Sequence, residues 1–268
     1  MVTCWIEKGE VKLLKEKFNT DNQSEDIRLA VMECLAKEEA EKVKTLFPYI
    51  GKKPPRIGRK VVNDINGNLT NLYMVIRDSL SEFVSVVMKL PYSEVMFQKF
   101  KEEDLKSVSS KSELERAVAY FYVSFSVYIG RIDNPLYQIS TTTDTNRAKD
   151  YQKSIPWILQ LFKRLQSVEI LNRDFREVLK SYDSESVFVY ADCPYLGTGH
   201  YYENFFTPQD HKDLSEMLKS HKGKFVLSSK AKKDLRKLYR SNKHYVLNFE
   251  DAYRLPDKRH REQLILNF

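Results

Sequence analysis

The run Val187-Phe188-Val189-Tyr190-Ala191 delivers Asp192 and then Cys193-Pro194-Tyr195 into a stretch containing Gly197 and Gly199. A β-branched, aromatic run of this kind reads as a buried strand, so the carboxylate sits where the strand ends. A carboxylate and a backbone carbonyl at that point can both accept hydrogen bonds from an exocyclic amino group. A neighbouring tyrosine ring can stack on the flat base that carries it. Aromatic amines are poor nucleophiles because the lone pair is delocalised into the ring. Acceptors pulling on both hydrogens favour a pyramidal nitrogen whose lone pair faces an electrophile. A base presented in this way has to leave the duplex stack.

The elements that must position these residues follow from periodicity. Residues 24–46 read as a helix capped by Ser24, with Ile27, Val31, Cys34 and Leu35 on one face. KVVNDING (60–67) reads as a short strand closed by a turn, and 68–90 as an amphipathic helix with Leu69, Leu72, Tyr73, Ile76, Leu80, Phe83 and Val87 on one face. A capping box at Ser112 and Glu115 starts another helix, and 133–150 reads as a long polar loop. Beyond residue 167 strands and helices alternate: VEIL, DFREVLKSY, SVFVYA, a helix opened by Thr207-Pro208, KFVLSS, KKDLRKLY, HYVLNF and QLILNF. That order predicts an α/β, doubly wound, mainly parallel Rossmann-like sheet, with ligands at the carboxyl ends of its strands. Asp64 and Asp192 are therefore expected at the carboxyl edge of one sheet.

The 268 residues suffice for a sizeable core, and the net charge of +7 favours a polyanionic partner. No apolar run approaches a membrane span, and the start MVTCWIEKGE is too charged for a signal peptide, so a cytoplasmic location is expected. Cys4, Cys34 and Cys193 lie far apart and the five histidines lack ligand spacing, which predicts no metal site. Tyr120, Phe121, Tyr122 and Phe125 read as core rather than as a stacking platform. KAKKDLRKLYR (230–240) reads as a solvated helix face.

Asp192-Cys193-Pro194-Tyr195 resembles the Asp-Pro-Pro-Tyr signature of the Dam-type DNA adenine-N6 methyltransferases, which use S-adenosylmethionine. Val61-Val62-Asn63-Asp64-Ile65-Asn66, LNRDF (171–175), the segment from Tyr201 to Ser229, and EQLILNF resemble further family elements in the family's order, over roughly residues 45–268. The resemblance implies that Asp192 and the Cys193 carbonyl hold the adenine amino group while Tyr195 stacks on the base. It implies Asp64 on the cofactor's ribose and Asp174 with Phe175 on its adenine. FPYIGKK (47–53) resembles the family's Tyr-x-Gly-Gly-Lys element, placing Tyr49 and Lys53 on the cofactor side. Arg116, Arg131, Asn134, Tyr137 and Arg147 are expected to contact double-stranded DNA.

The implied organisation is a catalytic domain of residues 47–100 and 161–268, a helical target-recognition insertion of 101–160, and a helical amino-terminal extension of 1–46, acting as a monomer. Two departures stand out. FPYIGKK runs directly into PPRIGRKVVNDIN, without the family's first strand or its Phe-x-Gly-x-Gly loop, and Cys193 replaces a proline. The first departure predicts weakened cofactor binding. The second keeps the carbonyl and is mild.

Overall fold

The computed structural model describes residues 58–104, 111–127, 137–138, 146–194, 206–230, 233–240, 242–248 and 261–267. The expected helix at 24–46, Tyr49, Lys53, Arg131, Asn134 and Tyr195 lie outside these. The chain divides into two compact units, one holding 1–62, 175–196 and 208–268, the other 63–174 and 197–207.

The second unit is largely helical. Strand β1 (Lys60–Asn63) ends at its first residue and pairs with β2 (Val168–Leu171) in a two-stranded sheet. Asn66 caps helix α1 (Gly67–Asp78), its side chain accepting from the amides of Asn68 and Leu69. The single helix expected over 68–90 is broken, because Ser79 leaves helical geometry (φ −136°, ψ 42°) before α2 (Leu80–Val87) begins. Of the face expected inward, Leu72, Ile76, Phe83 and Val87 are buried, while Leu69, Tyr73 and Leu80 are half-buried against the same core. Helix α3 (Glu94–Lys99) follows Pro91 and runs into a wide turn at Phe100–Asp104.

Helix α4 (Glu113–Ser126) opens on the expected capping box: Ser112 Oγ accepts from the Glu115 amide, and the Glu115 carboxylate accepts from the Ser112 amide at 2.8 Å. Helix α5 (Arg147–Leu165) begins inside the stretch expected to be loop. Its start is set by Asn146, whose side chain accepts from the Lys149 amide at 2.9 Å, a cap that the polar composition concealed. Tyr122, Phe97, Phe83 and Tyr151 form the aromatic centre of this core, so the helical tyrosines are indeed core. Their hydroxyls reach backbone: Tyr122 donates to the Pro91 carbonyl at 2.7 Å and Tyr151 to the Val87 carbonyl at 3.0 Å.

The first unit is a sheet with helical crossovers. Helix α6 (Phe175–Ser181), strand β3 (Phe188–Asp192), helix α7 (Pro208–Ser220), strand β4 (Lys224–Lys230), helix α8 (Lys233–Leu238), β5 (Lys243–Asn248) and β6 (Arg261–Leu266) follow in order. The spatial order is β3-β4-β6-β5. β3 and β4 are parallel, whereas β6 lies antiparallel to both β4 and β5. Hence β3, β4 and β5 run one way and β6 alone opposes them. Helix α7 supplies the crossover that the parallel neighbours β3 and β4 need, and α8 carries the chain from β4 past β6 to β5.

Val189, Ala191, Phe225, Leu227, Leu214 and Leu218 are fully buried at its centre. Arg176 ties α6 to α7 by ion pairs to Asp210 and to Asp213, the latter at 2.6 Å. At the other end of the ladder, a Cβ on Gly223 would lie 2.3 Å from the Val187 carbonyl oxygen, so only glycine fits.

The single sheet expected to carry both Asp64 and Asp192 is thus found, among the described residues, as two sheets, with β1 in one and β3 in the other.

Candidate active site

At the end of β3 the ladder itself does the positioning. Asp192 is opposite Ser228 of β4 in the parallel register, so the two side chains share one face. Asp192 is half-buried, whereas Cys193 and Pro194 beyond it are buried. Burial pushes the Cys193 thiol up to about 12. The thiol therefore stays protonated and is a poor nucleophile, and what this position offers is its backbone carbonyl. Ser228 and Ser229 are buried at the neighbouring strand end. Among the described residues the Ser229 hydroxyl has no hydrogen-bond partner.

At the ends of β1 and β2 the positioning is done by side-chain amides. The Asp64 amide donates to the Leu171 carbonyl at 3.2 Å, and Asn172 Nδ2 donates to the Asp64 carbonyl at 2.7 Å. One residue earlier, Asn63 Nδ2 donates to the Arg173 carbonyl while its Oδ1 accepts from the Arg173 amide, each at 3.0 Å. The Asp64 carboxylate accepts from the Asn66 amide at 2.9 Å. The end of β1 and the stretch Asn172-Arg173-Asp174 are thereby brought together, with Asp64 buried and Asp174 half-buried. Phe175, the first residue of α6, is buried, and the Arg176 guanidinium lies 4.4 Å from its ring centroid.

The residues expected on DNA are differently placed. Arg116 lies on α4, half-buried, with its Nε enclosed and, among the described residues, lacking a hydrogen-bond partner. Tyr137 stacks on Tyr92 at 5.2 Å and pairs as a bridge through Val127, and burial raises its hydroxyl pKa. Arg147 donates from Nη2 to the Phe125 carbonyl at 2.7 Å and lies over the Phe125 ring, tying the start of α5 to the end of α4. Tyr137 and Arg147 thus have structural engagements within the helical unit that residue type alone did not reveal.

A model of D12 class N6 adenine-specific DNA methyltransferases matches residues 49–253. The chain belongs to this family. Curated proteins give no match. No helix of the described residues is long and apolar enough to cross a membrane. Nor do the described residues hold a cluster of histidine, cysteine and acidic side chains able to bind a metal ion.

Sequence reading overlooked four polar residues beside the candidate site. Ser228 and Ser229 announced themselves only as two hydroxyls closing the apolar run KFVL. Asn63 and Asn172 looked like ordinary turn formers. The available signal was that each lies next to a candidate acid or its loop, at a strand end.

Proposed function

We propose that this methyltransferase transfers a methyl group from S-adenosylmethionine to the N6 of adenine in duplex DNA, at a specific sequence. The observation that carries the reading is Asp192-Cys193-Pro194 at the carboxyl end of β3, in a chain of this family. Asp192 and the Cys193 carbonyl accept the hydrogens of the target amino group and draw the nitrogen toward pyramidal geometry, with its lone pair exposed. Tyr195 stacks on the extruded base. The nitrogen would take the methyl group directly as the methyl–sulfur bond breaks, leaving a neutral thioether and losing one proton to solvent, with no covalent enzyme intermediate, which suits a neighbouring thiol held protonated by burial.

On the cofactor side, Asp64 accepts from ribose hydroxyls, Asp174 and Phe175 contact the cofactor's adenine, and Tyr49 and Lys53 complete the set. The residues fit a nucleoside: Asp64 is fixed at a strand end, and Ile65 beside it is an exposed apolar side chain. S-adenosylmethionine, when bound, supplies a methyl group on a positively charged sulfur. The missing glycine loop removes close backbone contacts, and losing two good hydrogen bonds lowers affinity by about a hundredfold. Residues 101–160, with Arg116, Arg131, Asn134, Tyr137 and Arg147, form the target-recognition region. Phosphate contacts there make binding fall steeply with salt.

The test is to incubate the protein with radiolabelled S-adenosylmethionine and adenine-containing duplex. Label in DNA as N6-methyladenine, lost in Asp192→Ala, is the expected result. Salt-sensitive DNA binding without incorporation would instead identify a family member that has lost catalysis.

A further inference from the structure

We propose that Asn63 and Asn172 are positioning residues of the cofactor half-site, holding Asp64 and the Asp174 loop at one fixed spacing. This rests on the cofactor role proposed above for Asp64 and Asp174. β1 ends at Asn63 and β2 at Leu171, and the last ladder bond runs from the Asp64 amide to the Leu171 carbonyl, beside the residues that need the most exact placement. The side chains take over from there. The Asn63 amide exchanges a donor and an acceptor bond with the Arg173 backbone, each at 3.0 Å, as a further peptide rung would. Aspartate lacks the donor and leucine lacks both groups, so asparagine is the residue of this shape that satisfies both. Asn63 is only 1% exposed, so water cannot replace either bond.

Asn172 completes the arrangement from the other strand. The Asp64 amide is held by the Leu171 carbonyl, and the Asp64 carbonyl by Asn172 Nδ2 at 2.7 Å. Both backbone groups of Asp64 are therefore tied to the β2 side, which sets the direction of its Cα–Cβ bond. The Asn66 amide holds the carboxylate itself, and Asn66 in turn caps α1. A Cβ built on Gly67 would lie 3.7 Å from Asn172 Oδ1, so the Asn172 side chain packs against the helix start. The side chains of Asn63 and Asn172 and the backbone amide of Asn66, from two distant parts of the sequence, thus converge on one acid and the loop carrying a second.

The experiment is calorimetric titration of S-adenosylmethionine into the full chain, with melting curves recorded alongside. Asn172 is exposed, so Asn172→Ala should keep the wild-type melting temperature while weakening binding by about five- to tenfold. Asn63→Ala should weaken binding further and also lower the melting temperature. In an Asp64→Asn background, which keeps an acceptor oxygen, the effect of Asn172→Ala on binding should shrink to within about twofold, because it acts through Asp64. Wild-type affinity in Asn172→Ala, or an undiminished effect in the Asp64→Asn background, would overturn the assignment while leaving the cofactor reading intact. Failure of the unmodified protein to bind would overturn both.

Discussion

The strand end at Asp192 and the strand end at Asp64 carry acids of the same type, yet they are held in opposite ways. Asp192 closes a strand whose every residue is in register with β4, above a core of fully buried Val189, Ala191, Phe225 and Leu227. Its position is a consequence of the ladder. Asp64 follows a four-residue strand in a two-stranded sheet, too little ladder to fix a side chain unaided. There the amides of Asn63 and Asn172 continue the pairing beyond the strands. The difference teaches that a functional acid at a ladder end can be replaced with little structural cost, whereas one held by side chains depends on neighbours that are not themselves functional.

The largest expected effect is on the Asp192 side. Asp192→Ala should lower methyl transfer by on the order of a hundredfold or more while leaving the melting temperature near wild type, as measured by label incorporation and circular dichroism. An Asp192→Ala protein that failed to fold would break the comparison, since the ladder is meant to be sufficient there.

The ladder itself should be sensitive at its opposite end. Gly223→Ala drives a Cβ against the Val187 and Ser184 carbonyls, so stability should fall by about 2–4 kcal/mol in chemical denaturation. The Asn63 side responds otherwise. Asn63→Leu keeps the branched shape but removes both hydrogen bonds to the Arg173 backbone, costing about 1–2 kcal/mol. A neutral Asn63→Leu would show that the short strands hold themselves.

The smallest effects belong to Cys193. Cys193→Ala and Cys193→Pro keep the carbonyl and should change methyl transfer by no more than about threefold. The thiol should resist iodoacetamide in the native protein at pH 8, because burial holds it protonated. Its pKa is raised from 9.0 in the unfolded chain to about 12 in the folded one. Its contribution to stability is therefore full below pH 9 and lost as pH rises toward 12. Comparing wild type with Cys193→Ala across that range isolates it from the buried tyrosines, whose raised hydroxyls act in the same direction.

Much of this was legible in the residues. Strands at 60–63, 168–171, 188–192 and 224–230 and the helix from Pro208 to Ser220 follow from apolar runs and turn chemistry, because their burial is local to the sequence that encodes it. The break at Ser79 was not legible: the apolar stripe continues across it, so periodicity carries no trace of the kink. Nor was the engagement of Arg147 and Tyr137, since their partners Phe125 and Tyr92 are remote in sequence. The asparagine ties escaped for the same reason: Asn63 and Arg173 are separated by 110 positions.

The central claim is that one strand end serves the target base and the other serves the cofactor. Its most direct test is calorimetric titration of S-adenosylmethionine into wild type, Asp192→Ala and Asp64→Ala. Wild type should bind weakly but measurably, Asp192→Ala should bind equally, and Asp64→Ala should lose about tenfold or more in affinity. Equal affinity of Asp64→Ala and wild type, or absence of binding by all three at millimolar cofactor, would contradict it.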